Sequence, residues 1–167
     1  MSIAQAQSRL RESLSKCGAL VALADRVETR LDRHAVDEAI LHQIGATLVA
    51  LCQTIAESHG ISASTVQGLS SLQSTLRARQ LTSVEADFLA REALADGGWW
   101  PLWQSELERV MQPKPLAKSA PAYGLIGSDR SEASDPGLLA ARDTHYRAWV
   151  DALRGLIQTV ESTLLEA

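Results

Sequence analysis

The residues from Asp32 to Gly60 carry an unbroken helical rhythm, and no other stretch constrains the fold as strongly. Val36, Ile40, Ile44, Leu48, Leu51 and Ile55 recur every three to four residues, the period of an α-helix. A second row runs beside them: Leu41, Gly45, Leu48, Cys52 and Ala56. Two adjacent apolar rows make a stripe too wide for one partner, so this helix is expected to face at least two neighbours. Gly45 in mid-helix costs about 1 kcal/mol relative to Ala, and close approach of another helix would offset that cost. Asp32 is the expected N-cap. Gly60 reads as a C′ glycine in the left-handed conformation, with Ile61 placed for the accompanying apolar contact.

A helix this apolar needs partners, and the flanking sequence supplies them. Ser2 and Gln5 form an S-x-x-Q capping box that opens a helix from Ile3 to about Thr29. Its stripe is Ile3, Leu10, Leu14, Cys17, Leu20, Val21, Ala24 and Val27. Only residues 30 to 32 separate it from the central helix, so the two are expected as an antiparallel hairpin. After Gly60 the pieces shorten. Ser64 and Gln67 suggest a second capping box, and Thr82 and Glu85 a third. Asp87 and Arg91 are spaced for an i,i+4 ion pair. Gly97 and Gly98 stop that helix, and Pro101 suits the first turn of the next. At the far end, Asp135 and Pro136 open a last helix that keeps its period to Leu165 through Leu139, Tyr146, Trp149, Val150, Leu153 and Val160.

Residues 112–134 break the rhythm. They hold three of the five prolines and read as a Pro-rich loop in which Leu125 and Ile126 form an apolar island. No stretch has the alternation of a strand. The expected architecture is therefore all-α: one domain over residues 1–167, an antiparallel helical bundle of three long helices plus about three short ones.

Charge and cysteine content narrow the function classes. The net charge is −4 with the signs interspersed, which argues against a nucleic-acid binder working through phosphate contacts. No apolar h-region opens the chain, and the longest uncharged apolar run, residues 18–24, is too short to span a bilayer. The expected setting is cytoplasmic, with no membrane partner. Cys17 and Cys52 both fall on apolar rows. In an antiparallel hairpin their levels differ by roughly 10 Å, too far for a disulfide, so two buried free thiols are expected.

Candidate chemistry is sparse. His34, Glu38 and His42 share one helical row at i, i+4 and i+8, residue types that suit zinc or another divalent metal. The spacing is neither H-E-x-x-H nor E-x-x-H, and a solvated polar stripe explains the same pattern. No P-loop, G-x-G-x-x-G or G-x-S-x-G occurs, so no cofactor and no catalytic residue is assigned. Arg142 and His145 loosely resemble the Arg and His of an RNA-processing class of small helical bundles. Their spacing is shorter than that motif, and the activity is not carried over. The tryptophans are the most distinctive feature: Trp99, Trp100 and Trp103 lie within five residues. They suit either a wedge between helices or an anchor for a partner.

The run from His42 to Ala56 resembles the H-x-x-GA-x-L-x-AL-C-x-x-IA stretch of a family of small all-helical proteins, a domain of unknown function, from pseudomonads and related gammaproteobacteria. The similarity continues in Trp99 to Trp103, in the Leu125–Ile126 pair and in Trp149. It covers most of the chain after Ala35. It implies a similar fold and a bacterial cytoplasmic setting, and no activity. The expected function is a non-enzymatic helical interaction or regulatory module, binding a protein partner or another copy of itself through Trp99, Trp100, Trp103, Leu125 and Ile126. The alternative is a metal-binding bundle built on His34, Glu38 and His42.

Overall fold

The computed structural model describes residues 2–112 and 136–166. Six α-helices follow one another: α1 (Ile3–Ala24), α2 (Arg30–Ser58), α3 (Leu69–Ala78), α4 (Val84–Ala93), α5 (Trp99–Met111) and α6 (Pro136–Glu166). A single 3-10 turn, Ala63–Thr65, lies between α2 and α3. No strand occurs among the described residues, and the chain is all-helical as its periodicity predicts.

The central helix is central in space as well. α2 packs against every other helix, because both of its apolar rows are buried. Ile40, Leu41, Ile44, Leu51, Ile55 and Ala56 are each fully enclosed. By length and composition Leu31–Ser58 would also suit a membrane span. Of its most apolar 18-residue window, 56% is buried inside the protein, and the core helix of a globular fold can have the same composition. Counting strictly apolar runs in the sequence missed this, because uncharged polar residues such as His42, Gln43, Gln53 and Thr54 interrupt the runs while residues 39–56 carry no Asp, Glu, Lys or Arg.

The helix ends show where local reading slips by one to five residues. α1 stops at Ala24, five residues before its expected end, and Arg33 Nη1 donates to the Ala24 carbonyl left open there. The N-cap of α2 is Thr29, not Asp32. Thr29 is extended (φ −90°, ψ 148°), and its hydroxyl oxygen accepts the Asp32 N–H at 3.1 Å. Asp32 instead places its carboxylate in the first turn, where the helix dipole favours it. The capping box at Ser2 and Gln5 forms as expected. The box expected at Ser64 and Gln67 does not. Ser71 takes that work, its Oγ accepting the N–H groups of Gln67 at 2.8 Å and Gly68 at 3.1 Å. Ser83, not Thr82, caps α4 by accepting the Ala86 N–H. The Asp87–Arg91 pair does not form among the described residues.

The C-terminus of α2 matches its reading. Gly60 has φ 66°, its N–H reaches the Glu57 carbonyl, and the Ile61 N–H reaches the Ala56 carbonyl at 2.9 Å. This is a Schellman turn, and Ile61 is buried as its apolar contact. α3 ends in the same bonding pattern at Gln80, a non-glycine residue held at φ 56°.

A polar seam fixes the α1–α2 pairing. Gln43 Nε2 donates to Ser13 Oγ at 2.8 Å and to the Ser13 carbonyl. Thr47 Oγ1 lies 2.8 Å from Ser13 Oγ and 3.4 Å from Cys17 Sγ. Hydrogen bonds of fixed reach select one register where apolar packing alone tolerates several. Both cysteines are buried and free. Burial pushes the Cys52 thiol up to about 12 and raises that of Cys17, with the Thr47 contact opposing it.

Candidate functional site

The tryptophan run divides between core and surface. A helix beginning at Trp99 turns residues 100 and 103 to one side, and that side faces α2. Trp100 and Trp103 are buried, at 4% and 6% exposure, while Trp99 is half-buried against the core. Trp103 Nε1 donates to the Leu41 carbonyl at 3.0 Å. Its ring lies against Gly45, where an added Cβ would sit 3.1 Å from Trp103 Cζ2. The mid-helix glycine therefore answers a close approach, made by an indole rather than a backbone. The Trp100 indole N–H is buried without a hydrogen-bond partner among the described residues.

Near this wedge in the chain two leucines are exposed. Leu94, at the end of α4, is 81% exposed, and Leu102 is 50% exposed. Leu102 lies three residues after Trp99, so their side chains are neighbours on the helix. Leu125 and Ile126 lie outside the described residues.

His34, Glu38 and His42 do not gather. His42 Nε2 is 3.8 Å from Glu38 Oε1, with both side chains about half exposed. His34 is two turns from His42, about 12 Å along the axis, so one ion cannot meet both rings. Among the described residues no group of three or more His, Cys, Asp or Glu side chains is placed to hold a metal. His145 is exposed and meets the edge of Trp149 at a centroid distance of 6.4 Å. The side chain of Arg142 lies outside the described residues.

The structure adds a polar cluster that sequence spacing does not reveal. Glu85 is buried in the first turn of α4, at 7% exposure. Its Oε2 accepts the Ser83 hydroxyl at 2.7 Å and lies 3.8 Å from His59 Nε2. His59 is the C-cap of α2, and its Nε2 is buried without a hydrogen-bond partner among the described residues. Two helix ends meet here: the negative end of α2 beside an imidazole, the positive end of α4 beside a carboxylate. Ser83 Oγ also accepts the Ala86 N–H, so its hydroxyl is committed to capping and is not poised as a nucleophile. On its other side Glu85 lines a cleft of about 180 Å3 between α4 and α6, together with Phe88, Arg91 and Val160. The only signal in the sequence was the capping pattern at residues 82–85, which says nothing of His59.

No protein-family model matches the chain, and neither a curated protein nor a solved structure shows significant similarity to it.

Proposed function

We propose that this chain is a non-enzymatic helical interaction module, cytoplasmic, that binds a protein partner or a second copy of itself. The proposal includes the antiparallel arrangement of α1, α2 and α6 as its rigid body, with α3 to α5 as the shorter helices that present the contact. The observation that carries it is the exposure of Leu94 and Leu102 on either side of the half-buried Trp99 in the chain, beside a wedge that Trp100 and Trp103 lock into the core. Rigid presentation lowers the ordering cost of binding. Fully burying a leucine is worth about 1.5–3 kcal/mol; scaled to the parts of Leu94 and Leu102 still exposed, the two together shift a dissociation constant by about 30-fold or more.

The test combines sedimentation equilibrium of the purified chain with affinity capture from a bacterial lysate, for wild type and a Leu94→Ser, Leu102→Ser double variant. Both substitutions are on exposed positions, so the fold is retained. Truncating Trp100 or Trp103 would confound binding with unfolding. The expected result is a dimer or a stoichiometric partner for wild type, lost in the variant. A monomeric wild type that captures nothing above background, or a variant that binds equally well, overturns the proposal.

A further inference from the structure

The cleft between α4 and α6 brings a carboxylate, a guanidinium and an apolar wall together. Its volume of about 180 Å3 is below the roughly 300–1,000 Å3 of pockets for drug-sized ligands, so any occupant is small. Val84, Phe88 and Val160 make an apolar wall. Thr159 and Thr163 also line it, but their hydroxyls are bonded back to the Gly155 and Thr159 carbonyls of their own helix. They add no polar group with a free proton.

Charge sits at both ends. Glu85 is buried, and its Oε2 accepts the Ser83 hydroxyl and lies 3.8 Å from His59 Nε2, while no hydrogen bond among the described residues reaches Oε1. The Arg91 guanidinium makes no ion pair among the described residues, its expected partner Asp87 included. The two residues lie six apart on α4, so their Cα atoms rise by about 9 Å along its axis, and both side chains line the cleft. A simple cation placed on Glu85 is repelled by Arg91, and a simple anion on Arg91 is repelled by Glu85. A zwitterion satisfies both. In a cleft this small an ammonium and a carboxylate on one carbon can each make a charge-assisted hydrogen bond, one to Glu85 and one to Arg91.

We propose that the α4–α6 cleft binds a free α-amino acid with a short branched aliphatic side chain. Its ammonium sits on Glu85, its carboxylate on Arg91 and its side chain against Val84, Phe88 and Val160. This site is separate from the Leu94–Trp99–Leu102 surface and does not depend on it.

Isothermal titration calorimetry of the full chain tests the proposal. The probes are L-valine, L-leucine and L-isoleucine, with isoamylamine and 4-methylpentanoate as analogues that keep one charge each. At least one amino acid should bind saturably, with both single-charge analogues weaker by about tenfold or more. Arg91→Ala, at an exposed position, and Glu85→Gln, which keeps an acceptor for Ser83, should each weaken binding by about tenfold with an unchanged far-ultraviolet circular dichroism spectrum. No binding of any of the three up to about 10 mM overturns the proposal. Equal affinity for a single-charge analogue, or unchanged affinity in folded Arg91→Ala, also overturns it.

Discussion

Replacing Gly45 by Ala sets two effects of similar size against each other, and the structure decides between them. On propensity alone the change stabilises α2 by about 1 kcal/mol. The new Cβ, however, would lie 3.1 Å from Trp103 Cζ2 and 3.5 Å from Cη2, closer than ordinary van der Waals contact between carbons. The indole has to retreat by a few tenths of an ångström. It is buried and tethered through Nε1 to the Leu41 carbonyl, one turn before Gly45 on the same helix. Moving the ring therefore stretches that hydrogen bond and disturbs the packing around it. Overpacking of this kind costs about 1–3 kcal/mol, which exceeds the propensity gain. Gly45→Ala should destabilise the protein by about 1 kcal/mol. In a Trp103→Phe background the indole's outer ring is gone, and the same substitution should become neutral or stabilising. The double-mutant cycle should show a coupling of about 1–2 kcal/mol, measured by urea denaturation followed at 222 nm so that tryptophan loss does not alter the probe. A stabilising Gly45→Ala in the wild-type background, or a coupling near zero, refutes the close-approach argument.

Other consequences are as direct. Gln80 occupies a left-handed C′ position without being glycine, so Gln80→Gly should raise the unfolding free energy by about 1 kcal/mol, read as a higher denaturation midpoint at unchanged slope. Thr47→Val removes the shared partner of Ser13 and Cys17 from a fully buried site. It should cost about 1–3 kcal/mol in the same assay, and a loss no greater than that of an exposed substitution would show that the seam contributes nothing. Neither thiol should react with a disulfide reagent at pH 8 until the protein unfolds. Because burial pushes Cys52 up to about 12, the unfolded chain releases its thiol proton first, near the ordinary value of about 8.5. The Cys52 contribution to stability is thus complete below that pH and is lost progressively as pH rises towards 12. Cys52→Ala should flatten the alkaline slope, and an unchanged slope would show that the thiol is not what titrates.

The sequence by itself determined the helical class and the central position of α2, because both follow from periodicity. Two apolar rows on one helix demand neighbours on two sides, whatever those neighbours are. It also determined that Gly60 ends α2, since only a local backbone conformation is at stake there. Helix starts slipped from Asp32 to Thr29 and from Thr82 to Ser83 because several adjacent side chains can cap, and the choice depends on which one reaches the N3 amide. The tryptophans show the limit of local reading. Their spacing is compatible with a wedge or a surface, and the orientation of α5 against α2 decided it, turning Trp100 and Trp103 inward and leaving Trp99 beside Leu102. Only tertiary packing brought His59 to Glu85, and it gave Glu85 and Arg91 a shared cleft facing α6. These contacts join helix ends and faces far apart in the chain. No periodicity records such a meeting, because it depends on how whole helices are placed, and that is fixed by the sum of many weak packing contacts.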